Sequence, residues 1–180
     1  MRRGSPPGEA RRRLLAGFPL VDDHPDVAGV LRDPGLLALL GPALAAPFRQ
    51  AGVTKVLAPE ARGPIIGALV ALELGSGLVI ARKDERNHPG ADRRIESEDT
   101  WRGHPETFLG RSFDLAPDDA VAVVDDWVTT GSSLRALETL IAQAGARYCG
   151  SSVIVNKADE STIDALDVHW LVRFDELTGS

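Results

Sequence analysis

Cysteine is nearly absent: Cys149 is the only one in 180 residues. It has no partner within the chain, so no disulfide framework holds the fold, and one cysteine with four histidines leaves little for a Cys/His zinc site. This usage fits a reducing, cytoplasmic compartment. Long apolar runs are missing too. None approaches the roughly 18 residues that a membrane-spanning helix needs, so a soluble chain without a membrane partner is expected. The patch Leu14 to Val21 is broken by Gly17 and Pro19 and runs into Asp22, Asp23 and His24, which does not fit a secretory leader. Nor is there an excess of positive charge. Lys and Arg number 20 against 26 Asp and Glu, a net charge of −6, which disfavours a protein that coats nucleic acid or an anionic membrane. No internal repeat is visible.

What is present suits one globular domain, with 43% hydrophobic residues over 180 positions. Residues 1–13 carry five arginines (2, 3, 11, 12, 13) against Glu9 and read as a disordered basic tail before a domain over 14–180. Strand-like and helix-like segments then alternate, the pattern of an α/β fold with a mostly parallel, twisted sheet flanked by helices. Leu36, Leu37, Leu39, Leu40 and Leu44 recur at helical spacing after Pro34-Gly35, predicting a helix that runs on to Gln50. Val53 to Ala58 reads as a buried strand. A helix begins at Pro64 and is capped by Gly75, and Gly77 to Ala81 is the next strand. Ala120 to Val124 is a continuous apolar strand ending on Asp125-Asp126, followed by Thr129 to Ser133 and a helix closed by Gly145. Ser152 to Val155 and Val168 to Phe174 complete five main strands in one sheet. Between the second and third units, Arg82 to Arg111 holds seven basic and seven acidic residues. So charged a stretch reads as a mobile loop, and inside a compact domain such an excursion is usually functional or disordered.

The third unit carries the chemistry. Backbone N–H groups of residues 129–133, the hydroxyls of Thr129, Thr130, Ser132 and Ser133, and the positive end of the following helix can together hold a phosphate. Asp125 and Asp126, one strand end away, can accept hydrogen bonds from sugar hydroxyls or hold metal-bound water. The combination suits a sugar phosphate. The plainer alternative is that Ser132 or Ser133 merely caps the helix and the aspartates are a solvated strand end.

The run from Val121 through Asp125-Asp126-Trp127-Val128-Thr129-Thr130-Gly131-Ser132-Ser133 to Leu134 resembles the 5-phosphoribosyl 1-pyrophosphate (PRPP) signature of type I phosphoribosyltransferases. Ala58-Pro59-Glu60-Ala61-Arg62-Gly63-Pro64, with Ile80-Ala81-Arg82-Lys83, is similar to the matching stretch of the family's adenine enzymes. So is Asp26-Val27 with Val30 to Pro34, and the resemblance spans about residues 18–177.

The resemblance implies a Mg²⁺-dependent enzyme that transfers the phosphoribosyl group of PRPP to a nucleobase or related heterocycle. It implies a small N-terminal hood over the base, a flexible charged loop over PRPP, and a homodimer. On this likeness Asp125 and Asp126 bind the ribose hydroxyls and, through water, the metal. Thr129, Thr130, Gly131, Ser132 and Ser133 take the 5′-phosphate. Glu60, Ala61, Arg62 and Gly63, with Arg82 and Lys83, take the pyrophosphate, and Arg62 joins Asp125 and Asp126 as catalytic. His24, Asp26, Val27 and Trp127 border the base.

The match has departures. Adenine enzymes of the family carry Phe-Arg where His24-Pro25 stand. The glutamate of their flexible loop has no clear counterpart: Arg102 falls at its position, with Asp99 and Glu106 nearby. Thr129 stands where 6-oxopurine enzymes carry an aspartate. Trp127 reads either as a packed side chain or as a wall near the ligand, and Trp101 as a ligand or partner contact on even terms with simple exposure. Two other functions remain open: a non-catalytic PRPP-sensing regulator of the same fold, and a phosphohydrolase of another α/β fold.

Overall fold

The computed structural model describes residues 8–22, 24–84, 88–98, 100 and 103–178. In chain order the elements are α1 (Glu9–Gly17), β1 (Leu20–Val21), β2 (His24–Pro25), α2 (Val27–Val30), α3 (Pro34–Ala45), β3 (Lys55–Pro59), α4 (Gly63–Leu74), β4 (Gly77–Lys83), β5 (Arg93–Glu96), β6 (Thr107–Gly110), β7 (Ala120–Val128), α5 (Ser132–Gln143), β8 (Arg147–Asn156), α6 (Glu160–Ala165), β9 (Val168–Arg173) and α7 (Phe174–Thr178). A seven-stranded sheet runs in the order β5-β6-β4-β3-β7-β8-β9. The five strands expected from the sequence are its parallel part, β4, β3, β7, β8 and β9.

Successive residues of a strand face opposite sides of a sheet, and here they feed two cores. Val56, Val124 and Ile154 pack with α1, α3 and α4, whereas Leu57, Val123 and Val153 pack with α5 and α6. Strands buried on both faces read as continuous apolar runs, as Ala120 to Val124 does.

Four expectations are corrected. Glu9 to Arg13 is not disordered tail but the start of α1, which lies against α3 and β9 with Ala10 and Leu14 buried. Those two apolar residues, four apart, supply one buried helical face among arginines, and Glu9 pairs with Arg12 at 2.5 Å and Arg13 at 3.3 Å. Residues 1–7 lie outside the described residues. The helix predicted to reach Gln50 stops at Ala45, and Ala46–Phe48 tightens into a 3₁₀ turn around Pro47, which has no N–H to continue the ladder. The expected loop of Arg82 to Arg111 contains two strands, β5 antiparallel to β6 and β6 antiparallel to β4. Its few apolar residues suffice, because an edge hairpin buries one face only: Phe108 is 0% exposed and Ile95 8%. Finally, β7 does not end on the acidic pair. Asp125 pairs with Val153, and pairing continues to Val128 with Asn156, so Asp125, Asp126 and Trp127 all lie within the strand.

Candidate active site

The C-terminal ends of β3 and β7 are neighbours, so the turn after β3 and the loop after β7 open at one edge of the sheet. Open parallel sheets bind ligands at such an edge. From the β7 side come the two aspartates. Asp126 is 7% exposed, and the half-buried Asp125 accepts the Asp126 N–H on its Oδ1 at 2.8 Å. Burial, and then the Asp126 charge, push the Asp125 carboxyl well above the ordinary carboxylate range, against the opposing pull of Arg62.

From the β3 side comes Arg62, at the N-cap position of α4, which donates from Nε to Asp126 Oδ2. Burial works against the Arg62 charge, but Asp126, Asp125 and Asp26 outweigh it and hold the guanidinium above its ordinary pKa. The approach is close: a Cβ on Gly63 would sit 2.9 Å from Pro59 Cδ and 3.3 Å from Asp125 Oδ1. The Glu60–Ala61 peptide is cis. Glu60 accepts Arg82 Nε at 3.0 Å and the Lys83 N–H at 3.2 Å, while Lys83 Nζ donates to Glu106 at 2.6 Å. Each cation expected at the pyrophosphate position thus already has a carboxylate partner. Beside Glu60 and Arg82 opens a cavity of about 280 Å³, lined also by Leu78, Val79, Ile80, His88, Arg111 and Asp114.

The loop after Val128 turns on Gly131, whose φ of +75° suits a residue without a Cβ. A Cβ there would also meet Thr162 Cγ2 at 2.6 Å and Leu166 Cδ1 at 2.9 Å. Gly131 is the N-cap of α5, and no side chain caps the helix. The reading of Ser132 or Ser133 as a simple cap therefore fails; the Ser132 N–H donates to Thr130 Oγ1 at 3.3 Å, and the helix dipole adds positive charge at this end. Thr130 Oγ1 donates to Ser132 Oγ at 3.0 Å.

The segment expected to form the hood holds the two-stranded antiparallel ladder of β1 and β2. His24 is exposed, with Nδ1 2.9 Å from the Asp22 carbonyl. Asp26 sits at the N-cap of α2, 3.4 Å from Arg32 and close enough to Arg62 to favour its charge. Val27 is 3% exposed and belongs to the core. Trp127 packs on Phe174 at 5.9 Å between ring centroids, Lys157 Nζ lies 4.1 Å over the Phe174 ring, and α7 rests against β2. Of the loop candidates, Asp99, Trp101 and Arg102 lie outside the described residues. Sequence reasoning missed Phe174, Lys157 and Arg135, whose Nη2 donates to the Thr130 carbonyl at 2.5 Å. Only the fold brings these isolated residues to the site.

Among the described residues no three His, Cys, Asp or Glu side chains cluster into a metal cage. Two carboxylates, one of them held by Arg62, fit an ion such as Mg²⁺ that keeps several waters and takes substrate phosphates as ligands.

No protein-family model matches the chain. Curated relatives do. The adenine phosphoribosyltransferase of Erwinia tasmaniensis is 38% identical over 156 residues, covering 83% of this chain and 82% of the relative. That of Streptomyces coelicolor is 40% identical over 149 residues, covering 79% and 80%. The xanthine phosphoribosyltransferase of Bacillus licheniformis is 29% identical over 153 residues, covering 82% and 79%. Among solved structures, adenine phosphoribosyltransferase from Rhodothermus marinus superposes with a TM-score of 0.78 at 26% identity, over 92% of this chain and 98% of that one. The enzyme from Thermoanaerobacter pseudethanolicus gives 0.80 at 22% identity, over 91% and 99%. The chain belongs to the type I phosphoribosyltransferases, alongside the adenine enzymes, and transfers the phosphoribosyl group of PRPP to a nucleobase.

Proposed function

We propose that the acceptor is a purine, adenine first, and that the reaction runs at the edge where Arg62 meets Asp126. The observation carrying the site assignment is that contact, because it joins the turn after β3 to a strand residue of β7 that lies 64 positions away in sequence. Adenine is supported by the relatives at 38% and 40% identity and by Thr129, which stands where 6-oxopurine enzymes carry an acid. The xanthine enzyme at 29% identity supports a second reading, xanthine.

In this assignment the loop from Thr129 to Ser133 holds the 5′-phosphate, and Asp125 and Asp126 accept hydrogen bonds from the ribose hydroxyls. Arg62, the turn Glu60 to Gly63, Arg82 and Lys83 neutralise the pyrophosphate. A purine ring nitrogen attacks ribose C1 as the C1–oxygen bond to pyrophosphate breaks, so the bonding pair leaves with pyrophosphate and the nitrogen's proton passes to solvent. The protein's task is to align the two reactants and stabilise departing charge. Bound Mg²⁺ supplies further positive charge at the pyrophosphate oxygens. Arg82 and Lys83 must leave Glu60 and Glu106 to reach them, and the excursion between β4 and β7 excludes water from the reacting carbon. Trp127, Phe174 and His24 border the base.

A homodimer is part of the proposal. Ile65 and Leu72 of α4 and Leu78 and Ile80 of β4 are exposed, at 53%, 80%, 37% and 36%, as an apolar face beside the site. No described helix is long and apolar enough to cross a membrane, and we place the enzyme in the cytoplasm, with no nucleic acid partner. The test is a screen of purines with PRPP and Mg²⁺, read by the mass of the nucleotide product. AMP is expected. Nucleotide formed from xanthine but not adenine selects the second reading, and none from any base leaves the PRPP-sensing alternative.

A further inference from the structure

We propose that Arg135 is a positioning residue for the 5′-phosphate site, holding the Thr130–Gly131 peptide and linking it to the charged excursion. This rests on the reading of residues 129–133 as the phosphate cradle. Arg135 lies in the first turn of α5. Its Nη2 donates to the Thr130 carbonyl at 2.5 Å and its Nε to Glu98 Oε2 at 3.1 Å. A guanidinium is a rigid planar fork, so these two bonds fix the positions of their acceptors relative to each other.

The consequence for phosphate binding follows from peptide geometry. In a planar trans peptide the C=O and the N–H point to opposite sides. Anchoring the Thr130 oxygen on Arg135 therefore sets the direction of the Gly131 N–H, which makes no hydrogen bond to the described residues. Thr162 and Leu166 crowd Gly131, so its backbone is held by packing as well as by the anchor. No side chain caps α5 from its N-cap residue, and the Ser132 N–H turns back to Thr130 Oγ1 at 3.3 Å, so the Gly131 N–H is left to the ligand. The guanidinium adds its charge to the same helix end.

The link to Glu98 extends further. The Ser97 N–H donates to the Glu106 carbonyl at 2.8 Å, the Glu106 N–H to Ser97 Oγ at 2.9 Å, and Lys83 Nζ to Glu106 Oε1 at 2.6 Å. A chain of contacts thus runs from Lys83, on the pyrophosphate side, through Glu106, Ser97 and Glu98 to Arg135 and the 5′-phosphate loop. The Glu98 side chain is 73% exposed, so its ion pair adds little stability. Its effect is on where the excursion sits.

The test is calorimetric binding of ribose 5-phosphate to wild type, Arg135→Met and Arg135→Lys, with melting temperatures alongside. Loss of a charge-assisted bond predicts about tenfold weaker binding for Arg135→Met, with most of it recovered by Arg135→Lys, which can still reach one carbonyl. KM for PRPP should rise in Arg135→Met while KM for adenine holds. Glu98→Gln should raise KM for PRPP in wild type but add nothing in the Arg135→Met background. Unchanged ribose 5-phosphate affinity in Arg135→Met, no recovery by Arg135→Lys, or equal effects of Glu98→Gln in both backgrounds would overturn the proposal. Binding needs no turnover, so wild type that binds ribose 5-phosphate but forms no nucleotide would defeat the proposed reaction and leave this inference standing. Wild type that does not bind ribose 5-phosphate would defeat both.

Discussion

Arg62 donates its Nε hydrogen to Asp126 Oδ2, so a guanidinium from the turn after β3 closes on a carboxylate near the end of β7. The Arg62 side chain is 51% exposed and that of Asp126 10%, so the contact's value lies in placing two groups rather than in stability. Asp126→Asn should weaken Mg·PRPP binding by more than tenfold by calorimetry while moving the melting temperature little. Binding within twofold of wild type would show that Asp126 does not face the ribose.

The raised Asp125 pKa makes a pH prediction with a definite sign. A carboxyl whose folded pKa exceeds its unfolded value of about 3.8 binds its proton more tightly when folded. Its contribution to stability is therefore present below pH 3.8 and is lost as pH rises through the folded value. Asp125→Asn should melt a few degrees above wild type at neutral pH, with the gap closing near pH 4. It should also abolish tight PRPP binding. Melting curves that stay parallel across that range would remove the claim of a destabilised Asp125 charge.

Gly131 combines a positive φ with two contacts that a Cβ would violate. Gly131→Ala should cost about 1–3 kcal/mol in denaturant unfolding and weaken ribose 5-phosphate binding. A stable variant with normal binding would mean that the loop has another conformation available.

Lys83 is held by Glu106 at 2.6 Å. If pyrophosphate must displace that carboxylate, Glu106→Gln should bind pyrophosphate several-fold more tightly in a product-inhibition assay. Weaker inhibition would instead make Glu106 a supporting ligand of the loaded site.

The exposed face of Ile65, Leu72, Leu78 and Ile80 should be covered by a second copy. Light scattering is expected to give twice the chain mass, and Leu72→Asp with Ile80→Asp to give the monomer. A wild-type monomer at assay concentration contradicts the dimer.

The β7–loop–α5 unit was readable in the sequence because a strand buried on both faces leaves a continuous apolar run, and because an acidic pair followed by four hydroxyl residues and a glycine at a helix start is more than a single cap requires. The apolar run reads as a strand that ends on the acidic pair, two residues short of its end at Val128. Polar residues read as loop, yet ladder bonds to β8 carry the backbone on to Val128. The β5–β6 hairpin was hidden by charge, since Phe108 and Ile95 alone face its core. Arg82 meets Glu60 through the β3–β4 register that sets Pro59 beside Ala81, and Arg135 meets Thr130 across one turn of α5. Such pairings belong to the fold, and a lone arginine in a sequence does not announce them.

The most direct test is pyrophosphate release with product mass, for wild type and the Asp125→Asn, Asp126→Asn double variant, given Mg²⁺, PRPP and adenine. Stoichiometric pyrophosphate and AMP from wild type, with loss of both in the variant, is the predicted result. Undiminished turnover by the variant would contradict the assignment of the β7 carboxylates to the reaction.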